Sequence, residues 1–178
     1  PTPQPVPPEL DYDMWLGPAP FKPYTKDRVH FNFRWIWDYS GGIICDWGTH
    51  LFDTAQWGND TERTGPVEVE GTGTFWEGGL YDTVKAYDVT YTYANGVVMK
   101  EEDFGMGGMS IKFEGTEGCV AAGRWWFRVC DELKDVQLEE KNGFVYESND
   151  HARDWIDCMR SRKQPICNPE TGHRSATV

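Results

Sequence analysis

The middle of the chain alternates between apolar and polar residues with a period of two, and that constrains the fold most. Val67, Val69, Gly71, Gly73 and Phe75 interleave with Glu68, Glu70, Thr72, Thr74 and Trp76, the signature of a β-strand with two unlike faces. Val84–Tyr93 is rich in Tyr, Thr and Val, and Ala94-Asn95-Gly96-Val97 behind it predicts a type I′ hairpin, whose central residues need positive φ. Met109, Ile111 and Phe113 alternate with Ser110, Lys112 and Glu114, and Gly115-Thr116-Glu117-Gly118 turns the chain into Cys119-Val120-Ala121-Ala122. Trp125–Val129 and Val136–Leu138 read as further short strands. Such a run of strands predicts an antiparallel sheet.

Helical signals lie on either side of this region. A short turn around Asp11–Trp15 is stopped by Leu16-Gly17-Pro18, and a helix is expected from about Ile44 to Trp57, with Gly58-Asn59 as its stop. Ser148 or Asn149 can cap a helix to about Arg162 that carries Ala152, Trp155, Ile156 and Met159 on one stripe. Asn168-Pro169 starts another. The expected class is therefore α+β, an open and mostly antiparallel sheet with helices packed on one face. Residues 1–10, with Pro1, Pro3, Pro5, Pro7 and Pro8, form a Pro-rich linker, and residues 11–178 form one domain whose last helix is cut short.

Charge and composition remove several function classes. The 178 residues carry 29 Asp and Glu against 17 Lys and Arg, a net charge of -12. Such a field repels phosphodiester backbones and anionic lipid, so nucleic acid and membrane are not the expected partners. No apolar run approaches the ~20 residues that span a bilayer. Five cysteines, an odd number without a C-x-x-C pair, read as mostly reduced thiols in a cytoplasmic protein. Periplasmic export stays open, because an export signal would lie ahead of Pro1.

Chemistry concentrates in Gly41-Gly42-Ile43-Ile44-Cys45-Asp46-Trp47-Gly48-Thr49-His50-Leu51-Phe52-Asp53-Thr54-Ala55-Gln56-Trp57. At about 100° per residue, Asp46, His50 and Asp53 fall within roughly 60° of one another on a helix, and Trp57 follows one turn later. A carboxylate four residues before an imidazole can bond one ring nitrogen and raise the basicity of the other, as a hydroxyl needs if it is to lose a proton. The same spacing also occurs in plain surface helix pairs, and D-x-x-x-H with Cys45 or Asp53 could hold a metal, although strong zinc signatures use tighter sets. Trp35, Trp37 and Tyr39 could stack on a sugar ring with Arg34 and Asp38 binding its hydroxyls, or they could simply fill a core. No G-x-G-x-x-G follows a strand: Gly71-Thr72-Gly73 and Gly105-Met106-Gly107 lack the third glycine, so no cofactor is expected on this chain by itself.

Five segments in order resemble the C-terminal domain of the glucose–fructose oxidoreductase / inositol dehydrogenase (Gfo/Idh/MocA) family. They are Leu10-Asp11-Tyr12-Asp13-Met14-Trp15-Leu16-Gly17-Pro18-Ala19-Pro20, the Gly41-Gly42…Asp46-x-Gly48-x-His50-x-x-Asp53…Trp57 run, Gly115-Thr116-Glu117-Gly118, Asp157-Cys158-x-Arg160-Ser161-Arg162 and Gly172-His173-Arg174-Ser175. The resemblance implies a two-domain dehydrogenase whose Rossmann half, absent from this chain, holds NAD or NADP. It implies an NAD(P)-dependent oxidoreductase acting on a secondary hydroxyl of a sugar or polyol, with His50 as general acid/base and Asp46 orienting it. Arg34, Trp35, Asp53 and Trp57 would contact the substrate, no metal would take part, and the sheet face would join subunits into a homo-oligomer. The chain alone would not turn over. Two other readings stand beside this one: a carbohydrate-binding or dimerisation module without chemistry, and a domain of a redox-assisted glycosidase.

Overall fold

A computed structural model describes residues 1–102, 109–136 and 146–178. These residues form two compact units, Pro1–His50 with Pro66–Met106 and Leu51–Gly65 with Gly107–Val178.

The first unit is nucleated by aromatic packing. Helix α1 (Tyr12–Leu16) starts where the Asp11 carboxylate accepts from the Met14 N–H, and it stops at Gly17, whose φ of 54° few side chains tolerate. Its five residues are too few to be stable alone, so tertiary contacts must hold it. Tyr12 and Leu16 are buried with Val29, and Leu10, Trp15, Tyr24 and Tyr39 pack around them. Tyr12 meets Tyr24 edge-on at 5.4 Å, Trp15 meets Tyr39 edge-on at 4.9 Å, and the Tyr12 hydroxyl donates to the Lys22 carbonyl. The Pro-rich start is tied to this cluster through Gln4, whose N–H donates to Tyr24 O and whose side-chain oxygen accepts from Lys26 N.

The sheet of this unit has the order β1-β2-β3, all antiparallel: β1 (Pro66–Phe75), β2 (Val84–Tyr93) and β3 (Val98–Glu102). The alternation in the sequence places β1 correctly, yet nine of its ten residues are exposed, so its side chains meet solvent on both faces. The turn after β2 differs from the expected type I′. Only Gly96 has positive φ, 88°, while Gly96 N–H donates to Tyr93 O and Tyr93 N–H to Val97 O. That is a type I turn closed by a glycine bulge, which asks for one left-handed residue rather than two. On β2 and β3, Tyr91 donates from its hydroxyl to Glu101 at 3.0 Å.

The second unit holds a second antiparallel sheet, β4 (Ser110–Glu114), β5 (Cys119–Gly123) and β6 (Trp126–Val129), in the order β4-β5-β6. The α+β class and the open antiparallel sheets agree with the sequence, with the strands divided three and three. Cys119 and Cys130 form a disulfide, and the β5–β6 register that pairs Val120 with Val129 leads straight to them. Cys45, Cys158 and Cys167 are free. The strand expected at Val136–Leu138 reaches beyond the described residues, and Val136 itself is not in a strand.

Helix α2 (Thr49–Gly58) begins in the first unit and continues in the second, and its C-terminal end is locked by the fully buried Gln56. The Gln56 amide donates to Thr61 O at 3.1 Å and Thr64 O at 3.2 Å, and its oxygen accepts from the Thr61 hydroxyl at 2.7 Å. Helix α3 (His151–Ser161) is capped by Asp150 rather than by Ser148 or Asn149, because only Asp150 sits three residues before the Arg153 N–H. Its expected apolar stripe is exposed, with Trp155 at 60% and Met159 at 45%. Helix α4 (Pro169–Thr177) starts as its Asn-Pro signal requires, Asn168 accepting from Thr171 N. Among the described residues no helix is long and apolar enough to cross a membrane.

Two outcomes follow from these contacts. Gln56→Ala strips partners from buried carbonyls and should cost about 1–3 kcal/mol, read as a lower urea midpoint at unchanged m-value. Burial pushes the Glu101 carboxyl above its ordinary 4.5, outweighing the Tyr91 and Tyr87 hydrogen bonds that favour the carboxylate. The folded state therefore holds this proton more tightly than the unfolded one, so its contribution to stability is complete at low pH and is lost as pH rises through the folded-state value. In unfolding titrations at a series of pH values above 4.5, Glu101→Gln should lose that downward slope.

Candidate active site

The segment that carries the candidate chemistry is not a uniform α-helix. Gly42 and Ile43 begin a helical turn, Ile44–Gly48 winds as a π-helix, and α2 continues from Thr49. Single π-turns inside helices are rare and frequent at functional sites. A π-turn rotates less per residue than the ~100° of an α-helix, so the four steps from Asp46 to His50 come closer to one full turn. The two Cα–Cβ bonds thus leave the helix nearly in line, more so than an α-helix would allow.

Two glycines make this turn possible. A Cβ on Gly41 would run into the Cys45 thiol. Gly42 has φ 71°, and a Cβ there would sit 2.7 Å from the Cβ and the hydroxyl of Thr83. Gly42 needs glycine both for its φ and for close approach to the residue ahead of β2, whereas a Cβ on Gly41 would have to displace the exposed Cys45 thiol.

Asp46 does not stand alone. Its Oδ1 accepts from the Arg34 Nε at 3.0 Å, and both side chains are about a quarter exposed, 27% and 26%. Arg34 lies in a 3₁₀ turn, His30–Trp35, and its Nη1 also donates to Phe31 O at 3.1 Å. The guanidinium lies over the Phe31 ring at 4.4 Å and the Phe33 ring at 5.1 Å. Stacked, doubly hydrogen-bonded and largely shielded, this Arg is pre-organised, and lysine could not replace it. His50 is exposed, and its ring meets Trp47 edge-on at 6.1 Å. Beside Arg34, Leu10, Trp15, Val29, His30 and Phe33 line a cavity of about 270 Å³.

Trp35 closes the 3₁₀ turn half-buried, and its carbonyl accepts from Asp82 N at 3.0 Å and from Thr83 N at 3.4 Å. Trp37 is 65% exposed, whereas Tyr39 packs on Trp15, so the aromatic alternation is split between solvent and core. In the second unit Asp53 accepts from the buried Ser175 hydroxyl at 2.6 Å, which ties the Gly172-His173-Arg174-Ser175 segment of α4 to α2. Trp57, in the same unit, is 44% exposed. The structure thus joins Arg34 to Asp46 directly and Asp53 to Ser175. Among the described residues no three His, Cys, Asp or Glu groups are placed to hold a metal ion.

Spacing along the sequence brings Asp46 and His50 to notice but gives no sign of the Arg34–Asp46 pair, twelve residues apart on two unlike turns. Asp82 and Thr83 carry no motif at all. Their only signal is position, an acid and a β-branched residue just ahead of a strand.

No curated protein matches the chain. A family model described as "Oxidoreductase family, C-terminal alpha/beta domain" matches residues 1–178, from the first residue to the last. That match agrees with the α+β architecture and with the five motifs in their order, and the chain belongs to the Gfo/Idh/MocA oxidoreductase family as its C-terminal α/β domain.

Proposed function

We propose that this domain supplies the substrate side of an NAD(P)-dependent oxidoreductase acting on a secondary hydroxyl of a sugar or polyol. The observation that supports this best is the Arg34–Asp46 pair, which holds a carboxylate one helical turn ahead of the exposed His50. In this reading His50 takes the hydroxyl proton in oxidation and returns it in reduction. Asp46, kept in place by Arg34, accepts from a neighbouring hydroxyl of the substrate and orients His50. Trp35, in the same unit, is a further substrate contact.

This chain's own residues do not fit a dinucleotide. Its sequence has no Gly-rich loop between a strand and a helix, and its described strands pair antiparallel, so no parallel strand–helix–strand crevice is formed among them. Nicotinamide binding is accordingly assigned to a nucleotide-binding domain outside residues 1–178, and this domain's part is proton transfer and orientation.

The edge strand β1 supports self-association. Val67, Val69 and Phe75 are 69%, 54% and 60% exposed, an apolar row on a strand whose outer edge has no partner among the described residues and that a second copy could cover.

His50→Ala, made in the protein that carries both domains, should lower kcat by roughly 10²–10⁴-fold while the quenching of tryptophan fluorescence by substrate persists. Turnover equal to the parent at saturating substrate and cofactor would remove His50 from the chemistry. Val69→Glu should shift the protein to a smaller species in light-scattering chromatography. An unchanged mass would exclude β1 from the interface.

A further inference from the structure

We propose that Asp82 and Thr83 are positioning residues that hold the Arg34–Asp46 pair in register, one dipeptide bracing both turns that carry it. The proposal rests on the acid/base reading above and adds residues that reading does not contain.

The turns bearing Arg34 and Asp46 are a 3₁₀ turn and a π-turn, two geometries with poorer hydrogen bonding than an α-helix. Arg34 is fixed within its own turn by Phe31 and Phe33, but nothing in either turn's regular structure fixes one turn against the other. Immediately after Arg34, three hydrogen bonds converge on one dipeptide. Asp82 N–H and Thr83 N–H both donate to the Trp35 carbonyl, at 3.0 Å and 3.4 Å. The Trp37 N–H donates to the Asp82 carboxylate at 2.7 Å, a short charge-assisted bond. The chain leaving Arg34 is thereby held on both sides of Ile36, which is 2% exposed.

The same dipeptide meets the other turn. Thr83 is 1% exposed and fills the space a Cβ on Gly42 would take, so the backbone four residues before Asp46 lies directly on the Thr83 side chain. Val84, the next residue, opens β2, the central strand of its sheet. Both turns are thus referenced to one rigid strand. That shared reference holds Arg34 Nε and Asp46 Oδ1 at 3.0 Å, and a relative shift of the turns by about 1 Å would take the pair out of hydrogen-bond range.

The test uses the two-domain protein and two readouts. The first is the Arg34 Nε–H resonance in ¹⁵N-labelled protein, assigned by its loss in Arg34→Lys, which is protected from exchange while the Asp46 bond holds. The second is steady-state turnover. Asp82→Ala should lose the protected resonance and lower kcat by roughly 10–100-fold, with the KM for NAD(P) unmoved. Asp82→Asn keeps an acceptor for the Trp37 N–H and should restore both. Should Asp82→Ala fail to fold, Thr83→Ala reads the contact with Gly42, with Thr83→Val as its shape-conserving control. A protected Arg34 resonance in either folded alanine variant overturns the proposal whatever the rate. Loss of the resonance with parental turnover, where His50→Ala is inactive, also overturns it. Loss of the resonance with parental turnover in His50→Ala as well upholds the brace and sinks the acid/base reading instead.

Discussion

The ion pair between Arg34 and Asp46 is the contact on which the candidate site depends, since it joins two turns that regular hydrogen bonding holds poorly. A pair like this on an open surface contributes about 0–1 kcal/mol, and screening erodes it. In this domain each side chain is only about a quarter exposed, 27% and 26%, and the guanidinium lies over the Phe31 and Phe33 rings and donates to the Phe31 carbonyl. Those contacts fix the guanidinium before Asp46 arrives, so less side-chain entropy is lost on pairing. The pair is better understood as a device for geometry than as a source of stability.

The π-turn is the second half of the same constraint. Winding more widely than an α-helix leaves a helix core less well packed, which costs stability unless neighbours compensate. The compensation is close packing at Gly41 and Gly42, where the Cys45 thiol and the buried Thr83 side chain lie against the backbone. Gly42 at φ 71° is also a conformation that other residues adopt only under strain. A surface helix with no task besides solubility would have no reason to carry this arrangement. Its presence directly before His50 is consistent with a segment shaped for the direction of its side chains.

Much of the fold was legible in the sequence because it is governed by local rules. Period-two alternation marked β1 and β4, Tyr, Thr and Val content marked β2, and the turn at Gly115–Gly118 marked β5, each to within a residue or two, and Gly17, Asn168 and Pro169 marked helix ends through backbone sterics. What was illegible depends on distant partners. Tyr39 was indistinguishable from Trp37 by pattern, yet one packs on Trp15 and the other faces solvent. The stripe on α3 has helical period, but period reports only that a face is apolar, not that the same chain covers it. The Cys119–Cys130 bridge became readable only once the β5–β6 register was known. The site divides in the same way: helical spacing singled out Asp46 and His50, while Arg34's engagement with Asp46 and the contacts made by Asp82 and Thr83 arise from packing 12 to 45 residues away.

Electrostatics bears on which substrate suits such a site. The chain as a whole carries a net charge of -12, which disfavours anionic ligands approaching through solvent. Arg34 would ordinarily offset that by attracting an anion, but its charge is already met by Asp46 at 3.0 Å. An anionic substrate binding there would have to compete with a carboxylate held in place, whereas a neutral polyhydroxyl compound would not. Such a compound can donate to the remaining lone pairs of Asp46 without breaking the ion pair, since a carboxylate has about four acceptor directions and Arg34 uses one. The proposed sugar or polyol chemistry therefore draws support from the charge balance.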